Sequence, residues 1–205
     1  MNKFIILFLF FPCIIFSQEQ KAKEILDKLS EKTKSYKSIK ANFTNTFSSL
    51  VTDINESKNG TLYIMEDSYR IEMEGQKIIS DGETNWIFLE DELELNITEV
   101  DDEDNEINPS KIFSIYENGY NYNFVKEDNE SYYIDLFPIE SGPFKKIELI
   151  INKNKIQISS FTMIDKQGSN YSYKIDLFIP NIKISKDFFK FDVSEYPDLD
   201  VIDLR

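Results

Sequence analysis

Histidine is absent from this 205-residue sequence, and cysteine occurs once, as Cys13. A histidine-containing catalytic triad, a haem held by a proximal histidine and a His-rich zinc site are therefore excluded. Basic residues are scarce as well, 23 against 37 acidic ones, giving a net charge of −14. Phosphate backbones and anionic membrane surfaces would be repelled, so no nucleic-acid partner is expected. Long apolar runs are missing apart from Phe4–Phe16, thirteen residues behind the positive Met1-Asn2-Lys3. That run falls short of the roughly 20 residues of a transmembrane helix and ends at the small residue Ser17. It predicts a signal peptide over residues 1–17, cleaved near Ser17, and one domain over residues 18–205. Lipidation of Cys13 is disfavoured by the bulky Phe10-Phe11-Pro12 before it. Cleavage removes Cys13 and Lys3, taking the charge from −14 to −15 and leaving a fold without disulfides.

What is present is mostly strand pattern. Ala22, Ile25, Leu26 and Leu29 recur at helical spacing and predict an amphipathic helix over 19–36. Ile39, Ala41, Phe43 and Phe47 alternate with polar residues, as in a strand with one buried face. Residues 51–59 read as a polar loop ending in the turn signal Asn59-Gly60. Residues 60–91 read as a meander of short strands, with Tyr69-Arg70-Ile71-Glu72-Met73 the clearest alternation and Asp81-Gly82 a turn pair. Leu93–Ile97 follows as a strand. Asn108-Pro109 predicts the cap and first turn of a short helix carrying Ile112, Phe113 and Tyr116 to Gly119. Strands are then expected at 120–126, 131–137, 147–152, 156–164, 171–178 and 188–193. The total is ten or eleven strands, without internal linker or repeat.

Catalytic chemistry would have to come from carboxylate, Lys, Tyr or Ser groups, and no motif organises them. Asp81 with Glu83, or the carboxylates at 90–94, would serve a hydrolase only in an apolar cleft. Their surroundings are turn-like and hydrophilic. The acidic run Glu99–Glu106 lacks the sixth-position glycine and closing glutamate of an EF-hand loop, so it reads as solvated and no metal site is expected.

The order of these pieces resembles the LolA family of periplasmic outer-membrane lipoprotein carriers. The resemblance rests on Ala41-x-Phe43-x-Asn45, Gly60-Thr61-Leu62-Tyr63, the Tyr69–Met73 strand and Ile79-Ser80-Asp81-Gly82-x-Thr84-x-Trp86. Further support comes from Phe161-x-x-x-Asp165-x-x-Gly168-x-x-x-x-Tyr173 and the closing Phe188–Val193. It implies a mainly β fold, a curved, unclosed antiparallel barrel of about eleven strands with helices covering the concave face. It also implies a periplasmic monomer, without cofactor or enzymatic step. Such a protein takes triacylated lipoproteins from an inner-membrane ABC transporter to an outer-membrane acceptor.

The residues expected to line an acyl cavity are Phe43, Phe47, Tyr69, Ile71, Met73, Trp86 and Phe88. The expected lid is formed by Ile112, Phe113 and Tyr116, with Ile25 and Leu29 of the N-terminal helix as the second cover. Periodicity alone favours an ordinary closed core, a preference that the resemblance reverses, and it leaves open which face is concave. A lipid- or partner-binding module of the same fold is the other reading. One departure stands out: family members carry a basic residue that helps lock the lid, in the turn where this chain has Glu66-Asp67-Ser68. Arg70 is expected to pair with Glu72 or Asp81 instead.

Overall fold

The computed structural model describes residues 13–49, 51–100, 112, 115–117 and 119–205. Helix α1 (Cys13–Lys34) is followed by β1 (Ile39–Ser49), β2 (Ile54–Met65), β3 (Ser68–Met73), β4 (Gln76–Ser80), β5 (Thr84–Leu89) and β6 (Glu94–Glu99). After the 3-10 turn Ile115–Glu117 come β7 (Tyr120–Glu127), β8 (Ser131–Pro138), β9 (Phe144–Asn152), β10 (Gln157–Asp165) and β11 (Asn170–Pro180). Two further 3-10 turns, Lys186–Phe189 and Val193–Glu195, precede β12 (Asp200–Asp203). The strands form one sheet in the order β12-β6-β5-β4-β3-β2-β1-β11-β10-β9-β8-β7. Neighbours are antiparallel except β12, which runs parallel to β6. β12 and β7 remain at opposite ends, so the barrel-like sheet is unclosed. Among the described residues no helix is long and apolar enough to cross a membrane.

The apolar stripe of α1 explains where the helix lies. Ala22, Ile25, Leu26 and Leu29 are buried against Ile134, Leu136, Ile147 and Leu149 of β8 and β9 and against Ile158 and Met163 of β10. Each fully buried Leu or Ile contributes about 1.5–3 kcal/mol relative to exposure. Lysines pin the helix near its middle and in its last turn. Lys21 pairs with Glu127 on β7, and Lys32 donates to the Lys155 carbonyl beyond β9. The face meeting α1 is hereafter the inner face.

The outer face of β3–β6 is also apolar. Pairing places Arg70, Ile79, Trp86 and Ile97 in one row across it, with Lys77, Phe88 and Leu95 in the next. The chain from Lys186 to Leu199 covers these rows as a strap. Phe191 and Tyr196 pack on Phe88 at 5.1 and 4.6 Å. Arg70 lies over the Phe188 ring at 4.8 Å, donates to the Phe188 carbonyl at 3.2 Å and pairs with Glu72 at 2.7 Å.

Several expected boundaries are corrected. Residues 54–58 belong to β2 rather than to a loop, and the turn is 51–53, with Asp53 at φ 53°. Gly60 lies inside β2, where a Cβ would sit 2.4 Å from Cζ of Phe43. The glycine makes room for an aromatic ring and does not turn the chain. Residues 188–193 form no strand, because their phenylalanines hold the strap by side-chain packing instead of a ladder. Leu93 falls in the turn before β6 at φ 51°. The helix begins at Cys13 and ends at Lys34, outside the expected 19–36 at one end and short of it at the other. Of the helix expected after Asn108-Pro109, the described part is the 3-10 turn at 115–117. Phe113 and most of the acidic run lie outside the described residues.

Candidate functional site: an apolar cavity under a latched cover

A row of aromatic rings crosses the inner face where β1, β11 and β10 adjoin. Phe43 meets Tyr173 at 5.9 Å, and Tyr173 stacks on Phe161 at 4.7 Å and 13°. The strand period of two puts these rings on one side, since Phe43, Tyr173 and Phe161 each belong to the inner-facing register. Beside the row lies a partly open cavity of about 110 Å³. Ala41, Phe43, Leu62 and Ile71 form one wall, from β1 to β3. Ile158, Phe161 and Met163 of β10, with Tyr173 and Ile175 of β11, form the other, and Ile112 closes it. Apart from the tyrosine hydroxyl, every lining side chain is apolar. Burial drives the Tyr173 hydroxyl above its ordinary value, so the site holds no ionised group at neutral pH.

The closing segment is fastened to α1. Glu117 accepts from Lys34 at 2.6 and 2.8 Å and from the Ser30 hydroxyl at 2.6 Å. Tyr116 donates to Asp27 at 3.2 Å and meets Tyr122 edge-on. Lys34, then Ser30, holds the Glu117 carboxyl below its ordinary range. Burial pushes the Tyr116 hydroxyl up to about 12, so it stays protonated and donating. Ile25 and Leu29 sit buried in the core between α1 and β7–β10 rather than in the cavity wall. The acidic turn of Glu66-Asp67-Ser68 takes no part in this fastening; Glu66 faces Lys186 at 3.4 Å on the surface.

The seven residues expected to line an apolar site divide between the faces. Phe43 and Ile71 line the cavity. Tyr69, Met73 and Phe47 share their face but lie beyond it. Tyr69 packs with Ile39 and Ile64, Met73 flanks Gly60, and Phe47 meets Tyr171 at 5.0 Å. Trp86 and Phe88 face the other way, under the strap, because their register pairs them with Ile79 and Lys77. The walls from β10 and β11 lie outside the expected set, although Phe161, Met163, Tyr173 and Ile175 carry the same alternation as Phe43. The tyrosines of β11 are spaced like an ordinary half-buried strand, and nothing local marks them as cavity-facing.

The carboxylates that a hydrolase would need have other duties. Asp81 accepts from the backbone of Glu83 at 3.1 Å and of Thr84 at 2.9 Å, shaping its own turn. Glu90 pairs with Lys77 at 2.8 Å, and Glu94 accepts from Asn96. No group of three or more potential metal ligands occurs among the described residues.

The profile of the family described as outer membrane lipoprotein carrier protein LolA matches residues 34–192. No curated protein sequence matches the chain. Among solved structures, it is similar to an uncharacterized conserved protein from Thermus thermophilus. That match has 16% identity and TM-score 0.60, covering 90% of this chain and 99% of the other. A DUF1329 family protein from Desulfovibrio piger is similar at 9% identity and TM-score 0.52, covering 84% and 97%. MucB is similar at 14% identity and TM-score 0.50, covering 84% of this chain and 63% of MucB. At these identities the likeness is one of fold.

Proposed function

The chain belongs to the LolA family of outer membrane lipoprotein carrier proteins, and from that premise we propose that it is an exported, periplasmic carrier of acylated protein. Its cargo would be the acyl chains of triacylated lipoproteins. It would accept them from an inner-membrane ABC transporter and pass them to an outer-membrane acceptor, as a monomer and without chemistry of its own.

The observation that carries this reading is the apolar cavity closed by Ile112. At about 110 Å³ it is smaller than the roughly 300–1,000 Å³ of pockets that enclose drug-sized ligands. Acyl chains therefore require the covers to move apart. Burial returns about 0.8 kcal/mol per methylene, so a long chain would bind too tightly to be released from a rigid pocket. Energy spent on breaking the latch between residues 116–117 and α1 subtracts from that affinity and makes handover feasible.

The test is native mass spectrometry of the protein purified from the cells that make it. Co-purifying lipoprotein, lost on Ile71→Glu, is the expected result. A bare protein that takes up no acyl fluorophore would overturn it. The acidic Glu66-Asp67-Ser68 turn favours a second reading, a lipid- or partner-binding module of the same fold. Acyl binding without transfer to acceptor membranes would select that reading.

A further inference from the structure

The sheet contains a split. β10 and β11 pair from Ile164↔Asn170 to Ser160↔Lys174 and no further. Beyond that rung, Gln157 and Ile158 pair only with β9, and Ile175 and Leu177 only with β1. A bulge sits on each rim: Ser159 is the extra residue of β10 against β9, and Asp176 the extra residue of β11 against β1. Bulges bend their strands and re-aim side chains, and here the two rims diverge.

The resulting groove has a volume of about 180 Å³. Asn152, Gln157, Ser159 and Asp176 line it with polar groups, and Ile158 and Ile175 border both the groove and the apolar cavity. Just before β10, Ile156 holds φ 44°, a left-handed conformation that a β-branched residue adopts only under strain. Strain of that kind concentrates where structure serves function.

We propose that this split is a side door for the polar end of an acylated peptide. The acyl chains would occupy the cavity, and the first amides of the polypeptide would lie between the rims of β10 and β11. There they would bond to strand edges that have no ladder partner across the split, as in strand addition. The inference rests on the carrier reading and sharpens it, because it assigns the site to acylated peptide rather than to free fatty acid. A fatty acid has no row of amides with which to use the rims.

Hydrogen exchange at 157–159 and 175–177 tests this, with a synthetic triacylated lipopeptide and palmitate as probes and displacement of an acyl fluorophore to report cavity occupancy. The expected result is slowed exchange at both rims with lipopeptide and not with palmitate. In addition, Ser159→Trp should weaken lipopeptide about tenfold while leaving palmitate uptake intact, which also shows that the variant is folded. Lipopeptide that displaces the fluorophore without slowing the rims would overturn the side door and leave the carrier reading standing. Equal slowing by both probes would overturn it too. Failure of both probes to displace the fluorophore would sink the two readings together.

Discussion

The Glu117 carboxylate lies 2.6 Å from the Lys34 ammonium, and this pair joins the closing segment of the apolar cavity to α1. The lysine is more than half exposed, so the pair alone is worth at most about 1 kcal/mol. The bond from buried Ser30 raises the total. Glu117→Ala is expected to cost the closed state about 1–2 kcal/mol, or roughly 5–30-fold in open population. Stopped-flow uptake of an acyl fluorophore should quicken accordingly. An unchanged rate would show that the cover opens elsewhere.

The same latch sets a pH dependence. Lys34 and Ser30 lower the Glu117 carboxyl from its ordinary 4.5 in the closed state. A lowered value in the closed state means that the stabilisation is complete above the ordinary value and is lost as pH falls through the lowered one. Uptake should thus be insensitive to pH near neutrality and accelerate in acid below that range. Glu117→Gln should flatten the acid limb. An acid limb that survives this variant would assign the effect to another carboxylate.

The fold was largely legible because alternation and turn residues agree over most of the chain, as in Tyr69–Met73 and Asp81-Gly82. Legibility failed where a strand is buried on both sides. Trp86 and Phe88 read as lining because β5 is apolar on its outer face, and the reason for that lies about a hundred residues away in Phe191 and Tyr196. Gly60 read as a turn because glycine permits one, whereas here it clears space for a ring contributed by β1. The latch was hidden for a similar cause: Lys34 and Glu117 are 83 residues apart, and no local pattern couples them.

Gly60→Ala tests that clearance. The new Cβ would fall 2.4 Å from Cζ of Phe43 and 2.8 Å from Cγ of Met73, so the rigid ring must move toward the cavity. Overpacking of this kind costs about 1–3 kcal/mol. The melting temperature should drop, and acyl-fluorophore affinity should fall with it. Restored affinity in Gly60→Ala with Phe43→Leu would identify the ring as the obstacle.

Two phenylalanines on opposite faces separate stability from binding. Phe43→Ala and Phe88→Ala should each cost about 3–5 kcal/mol, since both rings are buried. Only Phe43 borders the cavity, so only its removal should enlarge the site and change the chain length of acyl probe preferred. Matching shifts in preference from both variants, measured where both remain folded, would mean that the strap side takes part in binding.

Arg70 holds the strap through two contacts, the Phe188 carbonyl at 3.2 Å and the Phe188 ring at 4.8 Å, and pairs with Glu72 of its own strand at 2.7 Å. A charged donor to a carbonyl and a partly desolvated cation–π contact contribute about 1–3 kcal/mol together. Arg70→Met keeps most of the aliphatic stem and removes the guanidinium, so it isolates that contribution from packing. Hydrogen exchange should then rise across 186–199 while α1 keeps its protection, because the strap and the helix lie on opposite faces of the sheet. The binding of acyl probes should stay near that of the unmodified protein. Loss of α1 protection in this variant would show instead that the two faces unfold as one unit, with the strap a part of the cavity's support.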